Sequence, residues 1–222
     1  TFEVLEKENL ITKTAEDLSK GHAIGWFQGR MEFGPRALGN RSIIGDPRSP
    51  TMQKNLNLKV KYRESFRPFA PSVLKNDASD WFELDVESPY MLLVAKVKDN
   101  KQIKMTEDQK KLFGIEKLNL KRSEIPAVTH VDYSARIQTV NEETNPMYYK
   151  LIKKFKEMTG CSVIVNTSFN IRGEPIVNTP ENAFNCFMGS ELDILVIGNC
   201  YLKKTNQKES LKINYKNKFE LD

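Results

Sequence analysis

Histidine and cysteine are scarce in this chain, with two of the first and three of the second in 222 residues. His22 and His130 stand apart from each other. Cys161, Cys186 and Cys200 have no metal-ligand spacing and are odd in number. No ligand set of the usual zinc type is present, no disulfide framework is laid out, and the thiols read as buried residues of a reducing compartment. A Walker loop with its lysine and Ser/Thr is missing, which excludes P-loop chemistry. The dinucleotide fingerprint and the nucleophile elbow are missing as well. Long apolar runs are also absent. The longest, such as Met91 to Ala95, are far too short to span a membrane, and no signal peptide is present. The expected location is cytoplasmic. The first residue is Thr1, which is expected of a processed start or of a piece of a longer protein.

At 39% hydrophobic residues, the chain has enough apolar material for a sizeable core in one large domain or two small ones. The formal charge of +5 is mildly basic. It suits anionic partners such as nucleotides without singling out nucleic acid. No internal repeat is present.

Strand and helix patterns alternate along the sequence, which predicts an α/β or α+β fold with a mixed sheet. Helices are predicted over residues 14–20, from Ser49-Pro50 to about Asn57, from Asn145-Pro146 to Gly160, and from Thr179-Pro180 to about Met188. The third has the clearest pattern: Tyr148, Leu151, Ile152, Phe155 and Met158 keep helical spacing with lysines opposite. Strands are predicted at His22–Phe27, Ser88–Val97, Val163–Val165 and Asp193–Gly198, with Tyr201–Lys204 continuing the last or folding back on it. Ile125–Val131 and Ala135–Val140 are expected to pair around His130–Ser134. Asp99–Lys121 reads as a lysine-rich surface excursion with a short helix near Glu107–Phe113. From Thr205 to Asp222 the polar composition predicts a mobile tail after a single domain spanning 1–204.

Three stretches concentrate anion-binding chemistry. Gly29–Arg41 is a turn-rich loop bearing Arg30, Arg36 and Arg41. Lys61, Arg63 and Arg67 follow closely, and an extended Lys61–Phe66 would set Lys61 and Arg63 side by side on one face. Like charges so placed repel unless a phosphate or an acid such as Glu64 or Glu32 lies between them. In the third stretch a buried strand opens into Asn166, Thr167, Ser168 and Asn170, then Arg172 and Gly173. Short hydroxyl and amide groups give directional bonds, and a guanidinium gives a charged fork. Arg136 is a further candidate contact. With no protein nucleophile in sight, such an inventory fits reactions that rest on positioning and charge neutralisation, such as phosphoryl or nucleotidyl transfer.

Gly25-Trp-Phe-Gln-Gly-Arg-Met-Glu-Phe-Gly-Pro-Arg-Ala-Leu-Gly-Asn-Arg-Ser42 strongly resembles carbamoyltransferases of the nodulation-factor and antibiotic-tailoring type. So do Lys61–Pro71, Asn166–Pro175 and Leu192–Gly198, and the resemblance runs from about residue 13 to 204. It is to the C-terminal YrdC-like domain of those enzymes, and so implies a mixed twisted sheet flanked by helices. The chain thus reads as an excised C-terminal domain, separated from a larger N-terminal domain of actin-like fold that carries a metal site. In YrdC-like domains a Lys-x-Arg motif and a Ser-x-Asn motif frame the nucleotide site. Lys61-Tyr62-Arg63 and Ser168-Phe169-Asn170 match them.

The resemblance implies a reaction. Carbamoyl phosphate breaks down to carbamate and phosphate, and carbamate attacks ATP, supplied with Mg2+, to give carbamoyl-adenylate and pyrophosphate. The N-terminal domain then carbamoylates an acceptor hydroxyl. Lys61, Arg67 and Arg136 would hold the phosphates, Arg63 would neutralise the leaving group, and Ser168 and Asn170 would fix the α-phosphate or carbamate. Thr167, Arg172, Arg36 and Asn166 complete the candidate binding set. No metal ligands are expected within the domain. The expected partners are small-molecule substrates and the protein's own N-terminal domain. A homodimer is compatible with the sequence, while membrane and nucleic acid are not expected partners. Rival readings are a threonylcarbamoyl-adenylate synthase, which shares both motifs, an RNA-binding module, and a non-catalytic structural lobe. The long Gly25–Ser42 stretch favours the carbamoyltransferase branch. Tyr133 stands where that family usually has a small residue.

Overall fold

The computed structural model describes residues 1–118 and 120–212. Its strands, in chain order, are β1 (Glu3–Val4), β2 (Ile24–Phe27), β3 (Arg41–Gly45), β4 (Ala70–Leu74), β5 (Val94–Lys96), β6 (Ser134–Arg136), β7 (Gln138–Val140), β8 (Val163–Ser168), β9 (Ile194–Ile197) and β10 (Cys200–Lys203). The helices are α1 (Lys7–Ser19), α2 (Met52–Asn55), α3 (Ala78–Trp81), α4 (Glu107–Lys111), α5 (Gly114–Leu118), α6 (Pro146–Thr159) and α7 (Pro180–Gly189). Eight strands form one mixed sheet in the order β1-β10-β9-β2-β3-β8-β4-β7. The pairs β2–β9 and β4–β7 are parallel, and the others antiparallel. β5 and β6 form a separate ribbon.

The inner strands are apolar because helices cover them. Ile24, Ile43, Ile44, Val163, Ile164, Val165, Leu195 and Val196 are fully buried. α6 packs on α1 and on the β4–β8 pair, and α7 lies against β2 and β9. α6 forms as its pattern predicts. The Asn145 side chain caps it by accepting from Tyr148 N, Pro146 occupies the first turn, and Gly160 closes it in the left-handed conformation. α4 and α7 both start at threonine capping boxes, Thr106 with Gln109 and Thr179 with Asn182. β10 folds back antiparallel on β9. The Tyr201 hydroxyl donates to the Asp17 carboxylate and ties β10 to α1. No helix of the described residues is long and apolar enough to cross a membrane. Cys161, Cys186 and Cys200 are free thiols, the first two buried.

Four local expectations are corrected. α1 begins at Lys7, not at Thr14, because the Thr14 hydroxyl donates back to Leu10 O in mid-helix, at 2.6 Å, instead of capping. Lys61–Phe66 is not extended: α2 runs into a π-helical turn over Leu56–Val60, and Tyr62 follows with φ of 49°. Ser88–Val97 is broken at Met91, whose φ is 57°, leaving only β5 paired. Ile125–Val131 does not pair with Ala135–Val140. Pro126, which has no N–H to give a ladder, starts a 3-10 turn. Beyond it, β6 pairs with β5 while β7 joins the main sheet beside β4. Of the predicted tail, Lys204–Asn206 and Glu209–Leu211 are single 3-10 turns, and residues 213–222 lie outside the described residues.

Candidate anion-binding site

The site is assembled where β8 leaves the sheet. Its first three residues are core, and the polar Asn166, Thr167 and Ser168 then carry the strand to its end beside β3 and β4. Facing it is the Lys61–Arg67 loop, held by one fully buried residue of the π-helical turn, Asn57. Asn57 Nδ2 donates to Ser65 O at 3.2 Å and Arg67 O at 2.7 Å. Its Oδ1 accepts from Arg63 Nε at 2.6 Å, and its carbonyl accepts the Arg63 backbone N–H at 3.0 Å. π-turns inside helices are rare and mark functional positions more often than chance.

Lys61 is only 4% exposed. Its ammonium donates to Ser168 O at 2.5 Å, Asn170 Oδ1 at 2.7 Å and Asn170 O at 2.9 Å, with Ser168 Oγ at 3.3 Å. Ser168 Oγ donates to Asn170 Oδ1 at 2.7 Å, and Asn170 Nδ2 to Glu174 O at 2.6 Å. The Lys-x-Arg and Ser-x-Asn motifs are thus joined into one hydrogen-bonded unit. Burial pulls the Lys61 pKa down to about 7, with the Arg63 charge adding to the effect and Glu174 opposing it. Arg63, over the Phe69 ring at 5.0 Å, is pulled to about 10 by burial and by Arg67.

The acids anticipated as neutralising partners do not neutralise Lys61. Glu64 pairs with Arg67 at 3.3 Å on the surface, a contact of small energetic weight. Glu32 instead braces the glycine-rich loop by accepting from Leu38 N and Asn40 N, each at 2.7 Å.

Two cavities open beside this unit. The larger, of about 640 Å³, is lined by Lys61, Arg63, Arg67, Ser168, Asn170 and Arg172, with Glu64 and Glu174 the carboxylates among its walls. The smaller, of about 320 Å³, is lined by Arg36, Arg63, Arg67, Arg136, Asn166, Thr167 and Ser168. Arg63, Arg67 and Ser168 form the shared wall. Each of the ten predicted site residues lines one chamber or both. Arg136, on β6, has its pKa lowered by burial and by the neighbouring Arg36 charge, and its Nε is buried with no partner among the described residues. Asn166 is held by three bonds from its Nδ2, to Ala37 O, Ser72 Oγ and Gln138 Oε1.

Arg41 does not belong to the site. It lies over the Phe27 ring at 3.5 Å and donates to the carbonyls of Gln28, Gly29 and Asn40, so its charge serves the loop's own backbone. Asn57, Ser72, Gln138 and Glu174 support the site and carried no signal in the sequence. Each is a lone polar residue whose partner lies far along the chain or across a turn.

A YrdC-like α/β fold thus carries guanidinium, ammonium, hydroxyl and amide groups around two chambers that share lining residues. The family model described as the carbamoyltransferase C-terminus matches residues 15–204, and the chain belongs to that family. It is 59% identical over its whole length to an uncharacterised protein of Synechocystis, of which it covers 36%. It is 42% identical to nodulation protein NolNO of Sinorhizobium fredii, over 91% of this chain and 27% of that protein. To the 3'-hydroxymethylcephem-O-carbamoyltransferase of Amycolatopsis lactamdurans it is 33% identical, over 84% of this chain and 32% of the enzyme. The chain therefore spans roughly a quarter to a third of the length of the curated relatives it matches. Full-length HypF, solved in a phosphate- and nucleotide-bound form, aligns with a TM-score of 0.55 at 16% identity, over 86% of this chain and 25% of HypF. P. abyssi Sua5, solved with L-threonine, aligns with a TM-score of 0.55 at 12% identity, over 89% of this chain and 48% of Sua5. At such identities these two likenesses define the fold alone.

Proposed function

We propose that this domain makes carbamoyl-adenylate from carbamoyl phosphate and ATP, for O-carbamoylation of an acceptor hydroxyl by the N-terminal domain of a longer protein in the cytoplasm. The observation that carries the reading is the Lys61–Ser168–Asn170 unit, which lines one of two cationic chambers that share Arg63, Arg67 and Ser168. Two phosphate-bearing substrates require two adjoining anion pockets with a common reactive wall.

In the first step water adds to the carbonyl carbon of carbamoyl phosphate and the bond from that carbon to the phosphate oxygen breaks, leaving carbamate and inorganic phosphate. Carbamate oxygen then attacks the α-phosphorus of ATP, the bond from that phosphorus to the bridging oxygen breaks, and pyrophosphate departs with the electron pair. Magnesium enters with the nucleotide, held by its phosphates. Lys61, Arg67 and Arg136 hold phosphate groups, and Arg63 balances the charge that grows on pyrophosphate. Ser168 and Asn170 orient the α-phosphate or the carbamate, while Thr167, Arg172, Arg36 and Asn166 line the substrates. Each role is electrostatic or positional, which is the main source of rate in phosphoryl chemistry.

The test is pyrophosphate release from ATP, carbamoyl phosphate and magnesium, with each omitted in turn. Release that needs both substrates is the expected result. Release from ATP alone, undiminished by omitting carbamoyl phosphate, overturns the reading. Nucleotide binding without release assigns completion of the site to the N-terminal domain.

A further inference from the structure

Gln138 joins the two chain segments that bring Arg36 and Arg136 to the smaller chamber. It is 4% exposed and opens β7, two residues after Arg136, with the fully buried Ile137 between them. Its Nε2 donates to Leu38 O at 2.8 Å, two residues after Arg36. Its Oε1 accepts from Asn166 Nδ2 at 2.8 Å and from Ser72 Oγ, its register partner on β4, at 2.6 Å. Ser72 Oγ in turn accepts from the Tyr148 hydroxyl at 3.0 Å. Turning the Gln138 amide over would set its oxygen against Leu38 O and its NH2 against the Asn166 NH2, so the network fixes its orientation.

The loop that Gln138 reaches is held unevenly. Residues 33–36 are exposed. The anchored stretch starts directly after them. Ala37 O accepts from Asn166, Leu38 O from Gln138 and Gly39 O from Trp26 Nε1, while Glu32 accepts from Leu38 N and Asn40 N. Arg36 therefore stands at the exposed end of a clamped segment.

The clamp works against a force. Burial lowers the Arg136 pKa and the charge of Arg36 lowers it further, so the two guanidiniums stand close enough to repel. Among the described residues no carboxylate lines the chamber to offset them. With the chamber empty, repulsion favours a loop that swings Arg36 out into water, where screening is stronger. The bond from Gln138 to Leu38 O ties the strand of one arginine to the loop of the other and opposes that movement.

We propose that Gln138 is a positioning residue for the smaller chamber: its bond to Leu38 O keeps Arg36 beside Arg136 against their repulsion, so that the pair is in place before a phosphate group arrives. This rests on the reading of the chambers as phosphate sites given above. An anion entering such a chamber binds without the cost of ordering the loop, and meets charge that is already oriented.

The test is a double-mutant cycle read by titration calorimetry of inorganic phosphate on the 222-residue chain. Gln138→Met keeps about the same side-chain length and removes both the donor and the acceptor. It is expected to weaken phosphate binding at least about tenfold in the wild-type background and to have almost no further effect beside Arg36→Ala. An equal loss in both backgrounds is what a merely structural role gives, and it overturns the proposal. Phosphate binding that Arg36→Ala leaves unchanged also overturns it, since the anion then sits elsewhere. A second measurement needs no variant: backbone order parameters at Arg36 and Leu38 in the wild type should be those of rigid chain without phosphate and stay so with it. A loop that becomes rigid only with phosphate overturns the proposal. Absence of any phosphate binding by the wild type overturns the phosphate-site reading on which it rests.

Discussion

The ammonium of Lys61 rests 2.7 Å from Asn170 Oδ1, across 109 residues of sequence. That oxygen also accepts from Ser168 Oγ, so the two motifs share a single acceptor. Lys61 is therefore held in place before any ligand arrives, and Ser168 is aimed by the same contact.

Lys61 should impose a pH limb on the reaction. In the proposed role only its protonated form neutralises phosphate, and burial has lowered its pKa to about 7. In the free enzyme the charge is lost as pH rises through that value, so kcat/KM should fall above about pH 7. Bound polyanion favours the charged form, and the corresponding limb in kcat should lie higher. Lys61→Arg, always charged, should flatten the profile over about pH 6–9. Stability follows from the same shift. Between about pH 7 and the ordinary lysine value of 10.5 the unfolded chain binds a proton that the folded chain lacks, so this group makes stability rise with pH across that window. Melting temperatures of wild type and Lys61→Met across the window should diverge accordingly. Parallel curves would remove Lys61 as their source.

Ser168→Ala should cut pyrophosphate release at least about tenfold with little change in melting temperature, since it removes one half-buried hydroxyl and leaves the Lys61 bonds to Asn170 intact. Release at the wild-type rate would take Ser168 out of the reaction.

Asn57→Ala should hurt both stability and activity without touching substrate. It strips Arg63 Nε of its acceptor and Arg67 O of its donor inside a fully buried position. The cost should be about 1–3 kcal/mol by denaturant melts. Release rates should fall further than the unfolded fraction explains, because Arg63 loses its orientation.

Gly25→Ala should act on the site from the opposite side of the sheet contact. A Cβ at Gly25 would meet Phe169 Cζ at 2.5 Å and Leu195 Cδ1 at 3.2 Å. Phe169 is fully buried between Ser168 and Asn170, so any relief moves the motif. Overpacking of this kind costs about 1–3 kcal/mol. Reduced release accompanied by a lowered melting temperature is the expected pair. Unchanged activity would show that Phe169 can shift without carrying its neighbours.

The Asp17–Tyr201 contact predicts an acid limb of stability. Burial works against the Asp17 charge, but the Tyr201 hydroxyl and the charges of Lys203, Lys20 and His22 outweigh it and hold the carboxyl below its usual value of 3.8. Stability from this group is present above that value and is lost as pH falls through the lowered one. Tyr201→Phe should weaken the acid limb in pH-dependent melts.

The long regular elements and the motifs were legible in the sequence because their signals are local. Asn145, Pro146 and Gly160 bracket α6, and Val163–Val165 ends in the polar residues that reach the chambers. The irregular parts were not. An extended Lys61–Phe66 would have set Lys61 beside Arg63 on a shared face, yet Tyr62 turns left-handed and Lys61 is buried on carbonyl oxygens. The repulsion expected between the two cations was real, but the relief came from backbone dipoles that composition does not show. Ser88–Val97 failed for a similar reason: alternation describes each half, and Met91 bends the chain between them. Arg36 and Arg136 reach the smaller chamber from different elements, whereas Arg41, which opens β3 just after the loop bearing Arg36, is turned towards backbone oxygens. No spacing rule separates those two fates.

The place of β2 in the sheet has a consequence for biosynthesis. It lies between β3, which follows directly, and β9, just before which Asp193 accepts from Ala23 N across 170 positions. While the ribosome is still translating, β2 has one side paired and the other open, although its four residues are all buried in the finished fold. An open apolar edge invites pairing with other chains. The nascent chain carries that exposed edge until β9 has emerged, and the centre of the sheet closes only after that strand is made.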